Sequence, residues 1–165
     1  MSNVRTNQRG FTLMELLLAI AILAIVTTAA LPAFTTFIQN NRLTGQTNEL
    51  VTAFQFARSE ALKRADPVTV CSSSDGEDCG GSWNEGWMVI ANRGAGDEEV
   101  LRVWGSPGAD FQFDPAGGSV DFEANGFATA ALNIELDLEN CTADNARRVL
   151  IERTGRVGSE RFDCT

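Results

Sequence analysis

The 165-residue chain has no histidine. That absence removes the commonest general base, the Ser-His-Asp and Cys-His nucleophile pairs, and every histidine-based metal site. Basic charge is scarce as well. Thirteen Lys and Arg stand against 22 Asp and Glu, a formal net charge of −9, which argues against a general nucleic-acid coat protein. The four cysteines contain no Cys-x-x-Cys, so a zinc site built from all four thiolates is not expected. Asp75, Glu77 and Asp78, and likewise Asp97, Glu98 and Glu99, lack the alternating spacing of a dedicated calcium loop and read as solvated acidic surface. No convergent nucleophile, base or metal constellation is present. The chain is therefore expected to be no enzyme, with no catalytic residue, cofactor or metal.

What is present divides the chain. Residues 1–10 carry Arg5 and Arg9 and no acid, and between Glu15 and Arg42 there is no charged residue at all. The stretch from Leu16 to Phe34 is strongly apolar, and as a helix its 19 residues span roughly 28 Å, close to a bilayer core. Pro32 lies inside it and predicts a kink or a locally melted segment near Thr28 to Pro32, with Thr27 and Thr28 helping to satisfy freed carbonyls. Beyond it, Leu43, Leu50, Phe54, Ala57 and Ala61 form one apolar stripe at helical spacing. Gln39, Asn40, Arg42, Gln46, Asn48, Glu49, Arg58 and Lys63 lie largely off that stripe. Asp66-Pro67 supplies a stop, so the predicted helix runs from about Phe11 to Arg64.

From Val68 onward the period changes to that of strands. Candidates are Val68–Cys71, Gly86–Ala91, Val100–Trp104, Phe111–Phe113, Ser119–Phe122, Leu132–Leu138 and Arg148–Glu152, with a short Gly155–Val157 piece. Residues 132–138 alternate strictly, as expected for a sheet with one wet face. Gly, Pro, Asn and Asp punctuate the gaps. The predicted class is α+β: one long N-terminal helix packed on an antiparallel β-rich domain.

Two ordinary readings of the N-terminus explain little of it. A cleaved secretory signal has a shorter apolar core, and a plain signal anchor leaves the pattern before the apolar run without a role. The stretch Arg9-Gly10-Phe11-Thr12-Leu13-Met14-Glu15, the apolar run after it and Pro32 resemble the signature of type IV pilins and type II secretion pseudopilins. Later pieces resemble the GspH/FimT branch, which holds the FimU and FimT minor pilins and pseudopilin H. These are Gly86-Trp87-Met88-Val89-Ile90, Val100-Leu101-Arg102, Val120-Asp121-Phe122, Asn125-Gly126, Arg147-Arg148-Val149-Leu150-Ile151 and Thr154-Gly155-Arg156-Val157.

The resemblance implies a type IV pilin-like fold and a division of the chain. Residues 1–10 would be a leader cut by a prepilin peptidase between Gly10 and Phe11, with N-methylation of Phe11. Residues 11–34 would be the transmembrane half of the helix and 35–66 its amphipathic half. Residues 67–165 would be a periplasmic head. The mature chain would keep eleven basic and 22 acidic side chains, a formal −11. Glu15 would neutralise the Phe11 amine of a neighbouring subunit during assembly, since an unpaired carboxylate in hydrocarbon is costly. Pro32 would loosen the helix in the filament. Implied partners are the prepilin peptidase, the inner membrane, other minor pilins or pseudopilins and the major pilin.

Four cysteines allow three pairings. Cys71–Cys79 closes a short loop between strand ends, and the companion pairing Cys141–Cys164 resembles the C-terminal bridge of some minor pilins. An oxidising periplasm suits both. Five arginines, Arg147, Arg148, Arg153, Arg156 and Arg161, stand against Glu152 and Glu160 in a short stretch. In the FimT branch a Gly-Arg-x-Arg motif is associated with DNA capture. Here Gly155-Arg156-Val157-Gly158 lacks the second arginine, so DNA is a less favoured partner and strand arginines that are paired or solvated are the plainer reading.

Overall fold

The computed structural model describes residues 11–94, 96–139, 141 and 146–164, with the side chains of residues 29–33 left out. The chain divides into two units, ending and starting at Ile38 and Gln39. One helix, α1 (Leu13–Arg64), contributes to both.

In the first unit the described apolar side chains of the helix are exposed. Leu13, Met14, Leu16, Leu17, Leu18, Ile20, Ile22, Leu23, Ile25, Val26, Phe34 and Phe37 are all exposed, on every side of the helix. Of the two expectations near Pro32, a kink or a locally melted segment, the melted segment is corrected, because α1 is continuous through it. A proline removes one donor from the ladder, and the bonds on either side hold the helix together. The threonine hydroxyls also bond elsewhere than expected. Thr27 donates to the Leu23 and Ala24 carbonyls at 3.0 Å each, and Thr28 to the Ile25 carbonyl at 2.8 Å. The carbonyl that Pro32 frees by the i−4 rule is that of Thr28, which neither hydroxyl reaches.

In the second unit the stripe is used as the spacing requires. Leu43, Leu50, Phe54, Ala57 and Ala61 are fully buried, joined by Ala53 and Thr47. The helix stops at Arg64, where Ala65 takes a positive φ of 57° and Pro67 follows two residues later. Among the described residues eight antiparallel strands follow: β1 (Val68–Ser72), β2 (Gly86–Ala91), β3 (Glu99–Gly105), β4 (Phe111–Asp114), β5 (Ser119–Phe122), β6 (Leu132–Leu138), β7 (Ala146–Ile151) and β8 (Val157–Phe162). They form two four-stranded sheets, in the orders β3-β2-β1-β5 and β4-β6-β7-β8.

A single core joins the helix to both sheets. Val68, Val70, Trp87, Val89, Val120 and Phe122 face it from the first sheet, and Phe111, Ile134, Leu136, Val149 and Ile151 from the second. Each buried aliphatic or aromatic side chain stabilises by about 1.5–3 kcal/mol, so this cluster holds the unit together. The first sheet also has a small second core on its other face, where Cys71, Met88 and Ile90 pack with Cys79. That is why β1 and β2 are buried along their whole length.

The predicted Gly155–Val157 piece is corrected. Gly155 sits in the turn with a φ of +75°, and the strand runs from Val157 to Phe162. It pairs with β7 over its full length, from Ile151↔Val157 to Ala146↔Phe162.

Candidate assembly interface

The helix start is built by its own first residues. Thr12 accepts the Glu15 N–H on its hydroxyl and the Leu16 N–H on its carbonyl, both at 3.2 Å. Thr12 is thus the N-cap and Glu15 the third helical residue, the spacing of a capping box. A carboxylate in this first turn also complements the helix dipole. Thr12-x-x-Glu15 is the sequence signal for this local role, which is separate from any role of Glu15 in assembly. Phe11 precedes the cap and is 83% exposed. Gly10 lies outside the described residues, and so does the side chain of Pro32. Among the described residues no helix is long and apolar enough to cross a membrane. The apolar run from Leu16 to Phe34 includes residues 29–33, whose side chains are outside that description.

In the second unit, Arg58 ties the helix to two turns far away in sequence. Its Nε donates to the Gly126 carbonyl at 3.0 Å and its Nη2 to the Thr154 carbonyl at 3.3 Å. Gly126 and Gly155 both have positive φ, +78° and +75°, and a Cβ on Gly155 would run into the Gly126 carbonyl. Asn125-Gly126 and Thr154-Gly155, which stand apart in the sequence, therefore form one junction. Arg42 makes a second tie from the helix, a two-pronged ion pair with Asp110 at 2.6 and 2.9 Å. The hydrogen bond from Arg42 holds the Asp110 carboxyl below its ordinary range.

The structure pairs Cys71 with Cys79 and Cys141 with Cys164. The first bridge carries a loop back over the outer face of the first sheet. Within that loop Asp75 accepts the N–H groups of Glu77 and Asp78 at 2.9 and 3.1 Å, bonds that hold its carboxyl below the usual range. In the hairpin between β2 and β3, Glu98 accepts the Gly94 N–H at 2.6 Å, and Glu99 pairs with Arg64. All six acids of the two clusters are exposed, and three have further partners: Asp75 and Glu98 accept backbone N–H groups of their loops and Glu99 bridges to the helix end.

The five arginines do not form one surface. Arg147 and Arg148 are neighbours on β7, so the pleat turns them to opposite faces. Arg147 is only 4% exposed, donates to the Ala146 carbonyl and to Asn40 Oδ1 on the helix, and is pushed down by burial and by Arg161 opposite. Arg148 is held between Glu135 at 2.6 Å and Glu160 at 3.0 Å and lies over the Phe162 ring. Arg156 stands 3.9 Å from Glu152. Arg153, Arg156 and Arg161 remain exposed. Of the five arginines named as possible DNA contacts, Arg147 is buried and Arg148 is ion-paired, which agrees with the plainer reading of paired or solvated strand arginines.

A family model described as type II transport protein GspH matches residues 46–155, and one described as the prokaryotic N-terminal methylation motif matches residues 5–31. No curated protein matches the chain. Among solved structures, the type IV minor pilin FimU of Pseudomonas aeruginosa is similar in two crystal forms. The TM-scores are 0.60 and 0.56, at 24% and 23% identity, covering 75% and 72% of this chain and 92% of that one in each case. The minor pseudopilin EpsH of the Vibrio cholerae type 2 secretion system is similar with a TM-score of 0.55 at 10% identity, covering 73% of this chain and 97% of that one. At these identities the likeness is one of fold. The GspH model alone covers more than half of the sequence, and together with the methylation motif it settles the family: the chain belongs to the GspH family of type IV pilin-like minor pilins and pseudopilins.

Proposed function

We propose that this chain is a FimU-like minor pilin that joins the tip or initiation complex of a type IV pilus and promotes its assembly. The observation that carries the reading is the first unit: a capped helix whose apolar side chains are exposed on every side, preceded by the leader motif. Such a helix is costly in water and is at home among lipid tails and sister helices. In this reading the prepilin peptidase cuts between Gly10 and Phe11 and Phe11 is N-methylated. The helix stays in the inner membrane with its N-terminus cytoplasmic, and the disulfide-bonded β-rich part is periplasmic. Glu15 pairs with the Phe11 amine of a neighbour, which places the subunit below another in the filament, and Pro32 loosens the helix once it is assembled. The protein acts through assembly and not as an enzyme.

Mass spectrometry of the native polypeptide is expected to find a methylated phenylalanine at the N-terminus; a chain beginning at Met1, or beyond Ala30, defeats the proposal. Glu15→Leu is expected to leave cleavage intact and to lower recovery of the subunit in sheared filaments. Normal recovery would defeat the pairing of Glu15 with a neighbour's amine. A second reading, pseudopilin H of a type II secretion system, is favoured by the description of the matching family and by the likeness to EpsH. Neighbouring genes separate the two, since minor pilin genes point to a pilus and a secretion operon to a pseudopilus.

A further inference from the structure

Four strands lie at sheet edges: β3 and β5 in one sheet, β4 and β8 in the other. Two of them, β4 and β5, are only four residues long. Strand β8 presents Ser159, Glu160 and Arg161 to solvent, and charges of this kind discourage pairing. Strand β3 carries charge as well, Glu99 and Arg102, but Glu99 is held by Arg64 and the strand also exposes apolar side chains. It is seven residues long, Glu-Val-Leu-Arg-Val-Trp-Gly, with Val100 and Val103 42% and 48% exposed. Among the described residues, no backbone hydrogen bond reaches its outer edge.

The strand also carries a placed cation. A register shift between Val89 and Ile90 sets Arg102 on the helix side of the sheet, opposite Val89, while Val100 and Val103 lie opposite Ile90 and Met88 on the outer side. The Arg102 guanidinium lies 4.6 Å from the Trp104 ring centre and 6.0 Å from that of Phe56. Glu60, one turn beyond Phe56 on the helix, and Glu99, on the same strand, both bond Arg64. Among the described residues, no carboxylate lies within ion-pair distance of Arg102.

We propose that the β3 edge is a docking site for an extended strand from a neighbouring pilin-type subunit. The strand carries a carboxylate opposite Arg102 and apolar side chains against Val100 and Val103. Main-chain hydrogen bonds supply the affinity, and the alternating side chains supply the choice of partner. The cation held on its aromatic platform loses little freedom on pairing and rejects a basic strand. The proposal rests on the reading of the chain as an assembly subunit only for the identity of the neighbour.

The test is photo-crosslinking of the full-length chain in its native host, with benzoyl-phenylalanine in place of Val103 and, as a control, of Ser159 on β8. The expected result is a cross-link from position 103, absent from 159, to a peptide of another pilin-type subunit that carries Asp or Glu. Arg102→Glu should lower its yield about tenfold, and a basic residue at the partner's acidic position should restore it. A cross-link to a second copy of this chain, equal yields from both positions, no cross-link, or indifference to Arg102→Glu overturns the proposal. Recovery in sheared filaments is scored in parallel. A chain that enters filaments without cross-linking refutes the edge and leaves the function standing. A cross-link formed by a chain that never enters filaments does the reverse, and failure of both refutes both.

Discussion

The two halves of α1 use similar apolar side chains to opposite ends. From Leu13 to Ile38 the helix exposes leucine and isoleucine all around. From Gln39 to Arg64 it confines them to one stripe and buries that stripe against two sheets. The second half is stabilised by its own chain. Among the described residues the apolar side chains of the first half are exposed. Helix formation alone therefore says nothing about function here; the distribution of apolar residues around the axis does.

The largest effect expected from breaking this arrangement is at the junction of the turns. Gly155→Val places a branched side chain at a φ of +75° and against the Gly126 carbonyl. It should cost more than about 3 kcal/mol and unfold the β-rich unit near physiological temperature, read by thermal melting of the full chain in detergent. The helix halves are compared directly by Leu50→Ala and Leu18→Ala. Leu50 is fully buried, so its truncation should cost about 2–5 kcal/mol in the same melt. Leu18 is 62% exposed, and its truncation should leave the melt unchanged. A shift for Leu18→Ala comparable to that for Leu50→Ala would abolish the distinction.

A smaller effect comes from Asp110. Its folded carboxyl lies below the ordinary 3.8, so the Arg42 pair stabilises fully above that value and loses its effect as pH falls through it toward the depressed one. Both partners are 44% exposed, so solvent screening limits the contribution to less than about 1 kcal/mol. Arg42→Ala should lower the melting temperature slightly at neutral pH and not at all in strong acid. The smallest effect is at Asp137, which burial and neighbouring Glu135 push the other way, above 3.8. The folded state then holds the proton to higher pH than the unfolded chain, and ionisation at neutral pH opposes folding. Asp137→Asn should raise the melting temperature at pH 7, and this gain should disappear below the ordinary carboxylate range.

Much of this was legible in the sequence because it depends on period. The stripe from Leu43 to Ala61 and the alternation of residues 132–138 each say which face is buried. Strand β8 was only touched upon because its two apolar residues, Val157 and Phe162, sit five apart and so point to opposite faces, leaving no alternation to read. Its place is set by main-chain pairing and by Glu160 opposite Arg148. Closeness in sequence does not make the arginines one surface, since neighbours such as Arg147 and Arg148 lie on different sides of a strand. Arg58 was read only as lying off the stripe. Its carbonyl partners are 68 and 96 residues away, a distance over which local pattern carries no information.

The contact between Gly126 and Gly155 also limits where the molecule can diversify. Those two turns can be neither lengthened nor decorated without prising the helix from its sheets, so they are poor ground for new specificity or for an inserted tag. The hairpin between β2 and β3 is different: a Cβ at Gly94 or Gly96 would meet nothing within 4 Å, so the limit there is only their positive φ, +80° and +88°. A reporter peptide grafted into that hairpin should be tolerated best if both glycines are kept.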